Sequence, residues 1–191
     1  MSNENELIVE HRDQVAWLTV NRPEVRNALS LGLVRRMAQT LHGLAADRAV
    51  RTIVLTGAGE RVFISGADVR EFRAQLATPE NALNYDEAAE ALRAAIRAAP
   101  QPVIAMIQGH AVGSGCLVAA SCDFRLAVDT AKFGVPVAKF GFVAPYPDTQ
   151  RLIELIGPAR TKWLLMTANL VDARQALAMG LIDQVDTRDS L

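Results

Sequence analysis

Val103-Ile104-Ala105-Met106-Ile107-Gln108-Gly109-His110-Ala111-Val112-Gly113-Ser114-Gly115-Cys116-Leu117-Val118-Ala119-Ala120 runs from an unbroken apolar stretch through a glycine-rich turn into a second stretch of small apolar side chains. The first five residues have the pattern of a strand buried on both faces, as in a parallel sheet covered by helices. Ser114 to Ala120 reads as a short helix. A turn between such elements offers unpaired backbone N–H groups and the positive end of a helix dipole to whatever lies beyond the strand, which suits an oxygen anion. The same glycines could instead serve close packing of helix on sheet.

Working outward, Ile53-Val54-Leu55 is a second buried-strand run. Between the two lies a long helical pattern with Thr78 as N-cap and Pro79 at the first helical position, burying Tyr85, Ala89, Leu92 and Ile96 and stopped by Pro100 and Pro102. Residues 14–21 alternate like a strand and run into Arg22-Pro23. Ser30 caps a helix whose stripe is Leu33, Val34, Met37, Ala38, Leu41, Leu44 and Ala45. Phe124 to Val128 reads as a strand, and helical segments follow from Leu152, broken at Gly157-Pro158 and capped again by Asp172. Strand and helix alternate, so the fold class is α/β.

The 191 residues divided by about 150 per domain point to one domain over 1–191. Lys and Arg total 20 against 21 Asp and Glu, a net charge of -1 that leaves no basic surplus for nucleic acid. The N-terminus lacks the charged and apolar regions of a signal peptide, and no run approaches the roughly 20 apolar residues of a membrane span. No nucleic acid, no membrane and a cytoplasmic location are the expectations. Cys116 and Cys122 lack C-x-x-C spacing and read as buried thiols, and no His, Cys and carboxylate cluster suggests a metal.

The glycine turns fail three motif tests. No Lys follows them as a phosphate-binding loop requires, Val62 stands where a dinucleotide fingerprint needs glycine, and Val112 and Cys116 flank Ser114 where a nucleophile elbow needs two glycines. A second segment, Val62 to Phe72, also passes through glycine into a helix start, with Asp68 in the cap region. Together with Asn21-Arg22-Pro23, Asn27-Ala28-Leu29, Ser65-Gly66-Ala67-Asp68, Gly109 to Cys116, Cys122-Asp123, Phe133-Gly134-x-Pro136 and Thr149-Gln150-Arg151-Leu152, it gives an ordered set of marks. By these the chain resembles the crotonase superfamily, the enoyl-CoA hydratase and isomerase group, from about Val9 to Val185.

The resemblance implies a spiral of ββα repeats binding an acyl-coenzyme A thioester, with coenzyme A as part of the substrate and no permanently bound cofactor. It also implies a homo-oligomer, a trimer or hexamer. Carried over by position, the Ala67 and Ser114 amides form the oxyanion hole. Arg26, Ala28, Ala67, Asp68, Val69, Arg70, Gly113, Leu117 and Val137 are the substrate-binding candidates, with Arg26 or Arg70 near phosphate. Solvated surface charge is the alternative for both arginines. Ser114 stands where the family commonly has glycine, and its hydroxyl either crowds the hole or adds a donor.

The sequence departs from the family pattern in two ways. The hydratases place two glutamates where this chain has Leu117 and Val137, and branched apolar side chains cannot activate water. An ordinary hydratase mechanism is disfavoured. A decarboxylase-like or other enolate-forming lyase or isomerase, or a non-catalytic acyl-CoA-binding protein, are the alternatives. Tyr146 and Asp148 are the substitute acid/base candidates, although Asp148 could simply cap the following helix. His110, Lys139 and Asp123 read as structural or solvated. The chain also ends soon after Gly180 to Val185, where the resemblance leads one to expect further helices closing over the acyl chain.

Overall fold

The computed structural model describes residues 3–71, 74 and 77–191. The Leu7–Arg12 strand (β1) pairs antiparallel with the Val15–Val20 strand (β2), and Ser30 then caps the helix Leu31–Ala46 (α1), its hydroxyl accepting from Leu33 N at 3.2 Å. Two strands follow, Thr52–Gly57 (β3) and Val62–Ile64 (β4), and then the helix Pro79–Ala98 (α2), with Thr78 as its cap and Pro79 in its first turn. The pattern repeats with Val103–Ile107 (β5), His110–Val112 (β6) and Ser114–Ser121 (α3). It repeats again with Phe124–Val128 (β7), Lys132–Gly134 (β8) and Tyr146–Thr167 (α4). Val171–Asp172 (β9), Ala173–Met179 (α5) and Gln184–Asp186 (β10) complete the order.

β1 and β2 both enter the larger sheet, and each of the three repeats that begin at β3, β5 and β7 sends its first strand into that sheet and its second into a smaller one. The larger sheet has the order β1-β2-β3-β5-β7-β10 and the smaller β4-β6-β8-β9. From β2 onward the larger sheet is parallel, as the two unbroken apolar runs require. The winding is the spiral of ββα repeats expected. Glycine permits it where the strands change sheets. A Cβ on Gly109 would collide with the Arg61 carbonyl, and one on Gly115 with the Ile64 carbonyl.

The core is continuous. Leu33, Val34, Met37 and Leu41 of α1 and Leu92 and Ile96 of α2 pack with Leu18, Ile53, Leu55, Val103 and Ile107 of the large sheet. Phe63 and Phe133 are fully buried on the small sheet. Asp123 accepts from Val103 N at 2.8 Å and ties down the start of β5. His110 accepts from Lys132 N at 3.1 Å, the structural role the sequence suggested, and Lys139 is exposed. Both cysteines are buried, and burial pushes each thiol up to about 12, so neither is a nucleophile at neutral pH. Among the described residues no helix is long and apolar enough to cross a membrane.

One expectation changes at the start of α4. Asp148 does not cap α4: the cap position is Pro145, which makes no side-chain bond, and Asp148 lies inside the first turn. Asp68 accepts from Arg70 N at 3.1 Å at the start of the 3-10 turn Val69–Glu71, and most of the residues just after that turn lie outside those described.

Candidate active site

Two turns meet at the mouth of a cavity. The first is held by an isolated parallel bridge between Leu29 and Ala67, in which Leu29 N donates to Gly66 O at 2.8 Å and Asp68 N donates to Leu29 O at 2.9 Å. Those two bonds flank Ala67, so its own N–H faces the other way. The second turn is closed by Gly113 N donating to Gly134 O at 2.8 Å, and Ser114 is the first residue of α3. Its N–H is among those a helix start leaves unpaired. Neither the Ala67 nor the Ser114 amide has a hydrogen-bond partner among the described residues.

Glycine lets the turns touch. Gly66 has φ 120° and Gly113 φ 57°. A Cβ on Gly66 would stand 3.3 Å from Val112 O and 3.7 Å from Ser114 N, so larger residues would force the turns apart.

Ala67 and Ser114 share a cavity of about 350 Å³ with Leu117, Val137, Phe142, Val143, Pro145 and Asp148 and with Ala82, Tyr85, Asp86, Ala89 and Arg93 of α2. Leu117 and Val137 make the corner apolar. Among its polar groups are Arg93 and Asp148, whose Nε and Oδ1 lie 2.6 Å apart, with both side chains 4 % exposed or less. The other Asp148 oxygen, Oδ2, is buried without a hydrogen bond. Burial pushes the Asp148 carboxyl up to about 6, with Arg93 pulling it back.

The sign of that shift is definite. The folded chain holds this proton more tightly than the unfolded chain, whose ordinary value is 3.8. The stability it contributes is therefore complete below 3.8 and lost as pH rises through about 6.

The candidates other than Asp68 divide into three groups. Ala67, Ser114, Leu117, Val137 and Asp148 line the cavity. Arg26, Ala28, Val69, Arg70 and Gly113 lie outside its wall, on or beside the strip that the Leu29–Ala67 bridge assembles, with Arg26, Val69 and Arg70 exposed. Tyr146 is 77 % exposed and absent from the wall. The cap residue Pro145 and Asp148 in the first turn of α4 take the inward positions, and Tyr146, one of the two residues between them, is turned outward.

Asp68 is not a free contact for substrate. Its carboxylate is 4 % exposed and engaged by Arg22 Nη2 at 3.1 Å and Arg70 Nη2 at 2.6 Å. The Arg70 hydrogen bond, the first of several causes, holds its carboxyl down at about 2. Arg22 also donates to Ala28 O at 2.6 Å and pairs with Glu6 at 3.0 Å. One buried guanidinium thus ties the Ala28 segment to the Ala67 turn.

Arg93 is the buried charged wall residue that the sequence reading missed. Tyr85, Ala89 and Arg93 follow one another four apart on α2, so a cation sits on the apolar stripe. Such a residue needs a buried anion opposite, and α4 supplies Asp148.

A spiral of ββα repeats whose two abutting turns leave main-chain amides at one apolar cavity defines a class of protein, and comparison with known proteins agrees. Residues 10–191 match the family model described as enoyl-CoA hydratase/isomerase. The chain is similar to the crotonyl-CoA hydratase of Syntrophomonas wolfei, 36% identical over 185 residues covering 97% of this chain and 70% of that protein. It is 34% identical to the 2,3-dehydroadipyl-CoA hydratase of Escherichia coli, covering 97% of this chain and 71% of that one. A crystal structure of an enoyl-CoA hydratase/carnithine racemase from Magnetospirillum magneticum superposes with a TM-score of 0.94 at 36% identity, over 97% of this chain and 69% of the other. The chain belongs to the enoyl-CoA hydratase/isomerase family of the crotonase superfamily.

Proposed function

We propose that the chain binds an acyl-CoA thioester with its carbonyl oxygen on the Ala67 and Ser114 amides, stabilises the enolate formed there, and works as a lyase or isomerase other than a standard hydratase. The observation that carries this reading is the pair of unpartnered amides opening on one cavity beside Leu117 and Val137. Donors preorganised where charge develops are worth about 2.7–4 kcal/mol each. The coenzyme would lie along the strip of Arg26, Ala28, Val69 and Arg70, outside the acyl cavity.

Asp148 is the proton carrier in this reading. With its carboxyl near 6 it is mostly ionised at neutral pH and still basic enough to accept a proton. The Cα–H bond of the acyl group breaks, the proton goes to the carboxylate, and the electron pair moves onto the thioester oxygen facing the amides. Return of the proton to another carbon, or to the same carbon, completes the cycle.

Butyryl-CoA in heavy water tests this. The protein is expected to exchange the α-hydrogens for deuterium, read by mass spectrometry, at a rate that falls as pH drops below about 6. Asp148→Asn is expected to lose at least about 100-fold of that rate. Binding without exchange of any thioester in a panel of chain lengths would leave only a non-catalytic binder.

Crotonyl-CoA makes the complementary test. With Leu117 and Val137 at the two positions where hydratases of the family carry carboxylates, loss of its near-ultraviolet absorbance on adding the protein is expected to stay at the uncatalysed rate. Hydration at enzymatic rates would overturn the departure from hydratase chemistry.

A further inference from the structure

Two amides and one carboxyl leave a third polar group of the cavity without a task. Tyr85 stands on α2 and lines the cavity together with Ala67 and Ser114. Its phenol oxygen is screened from solvent and completes no hydrogen bond of good geometry, although the Ser114 hydroxyl is close enough to favour its ionised form. Natural interiors keep few such groups. The packing does not explain it, because phenylalanine would fill the same space and leave nothing unsatisfied.

The position of the phenol is fixed by its neighbours. Burial pushes Tyr85 up to about 12, and the Ser114 hydroxyl is the first group offsetting that rise. Tyr85 and Ser114, whose amide opens on the cavity, thus line the same cavity with Ala67. The charged groups that act on it, Arg93, Glu71 and Asp86, do so only as more distant charges. At neutral pH the group is an uncharged O–H, hence a donor.

We propose that the Tyr85 phenol is a third donor to the enolate oxygen, adding to the Ala67 and Ser114 amides from the α2 side of the cavity. The proposal rests on the thioester reading given above. Its chemical sense is differential. Two amides suffice for a neutral carbonyl, whereas an oxygen acquiring full negative charge in a water-excluded site gains from every further donor. The phenol would act mainly on the charged state.

Acetoacetyl-CoA and butyryl-CoA separate the two states. The first can bind as an enolate, visible by its near-ultraviolet absorbance, and the second binds as a neutral thioester whose affinity calorimetry measures. Tyr85→Phe is expected to lower the enolate-to-keto ratio of bound acetoacetyl-CoA about tenfold at fixed pH, equal to one pKa unit. Butyryl-CoA affinity is expected to stay within about twofold, and Tm to hold or rise, because an unsatisfied hydroxyl is removed. An unchanged ratio overturns the proposal. So does a parallel loss of affinity for both thioesters, which would mean that the ring only shapes the cavity. If the unmodified protein binds neither thioester, the thioester reading itself fails and this one falls with it.

Discussion

Gly115→Ala is expected to cost about 3 kcal/mol, the upper end of overpacking penalties, and to lower Tm by roughly 6–12 °C in a domain of this size. The added methyl would meet the Ile64 carbonyl, with its carbon at 2.7 Å, and neither partner can move independently. Ile64 ends β4 and Gly115 lies in the first turn of α3, so relief requires the helix to back away from the strand. That displacement carries the Ser114 amide with it and opens the contact between the Gly66 and Gly113 turns. Thioester binding should therefore fall even at temperatures where the variant is folded. Gly43→Ala supplies the control. Gly43 lies inside α1 with nothing within 4 Å of an added Cβ. Alanine there should stabilise by about 0.5–1 kcal/mol through helix propensity. Thermal melts of the two variants should move in opposite directions while butyryl-CoA binding falls only in Gly115→Ala, and a Gly115→Ala protein with ordinary stability and binding would refute the close packing of α3 on β4.

The same close approach explains what could be read from the chain. β3 and β5 were legible because buried parallel strands make unbroken apolar runs, and α1 and α2 because Ser30 and Thr78 cap long stripes. The smaller sheet was not. β4, β6 and β8 have three residues each and β9 two, too short for any periodicity to register, and their neighbours are set by the winding of the spiral. The two turns were visible as glycine clusters, but their meeting depends on contacts between residues 66 and 113, far apart in sequence. Asp148 illustrates the limit best. A carboxylate two residues after a helix start reads naturally as a cap, and only the tertiary fold places buried Arg93 opposite it. Local capping lost because an unpaired buried guanidinium costs more than an uncapped helix end.

Arg22→Met is the second large effect, expected to destabilise by about 3–5 kcal/mol, the usual consequence of leaving one member of a buried ion pair uncompensated. Arg22 is buried, and its loss would strand the Ala28 carbonyl and Glu6 and leave the buried Asp68 carboxylate with Arg70 alone. Arg70 still holds Asp68, but its side chain is 60% exposed and it reaches no part of the Ala28 segment that the structure records. The pH dependence should change in a definite direction. Asp68, depressed to about 2 against an ordinary 3.8, contributes stability that is present above 3.8 and lost as pH falls through about 2. Weakening its partners should shrink that contribution and make the variant's melting temperature less sensitive to pH across that window. Removing the Asp68 charge as well tests whether the pair matters for stability or for placement. In Arg22→Met/Asp68→Asn the buried carboxylate is gone, so part of the lost stability should return. The Ala67 amide, however, depends on the Leu29 bridge, which the Arg22 to Ala28 and Asp68 bonds hold in register. Enolate formation from bound acetoacetyl-CoA should therefore remain impaired in the double variant while its Tm recovers. Recovery of both together would assign the pair to stability alone and leave the oxyanion turn positioned by its backbone bonds.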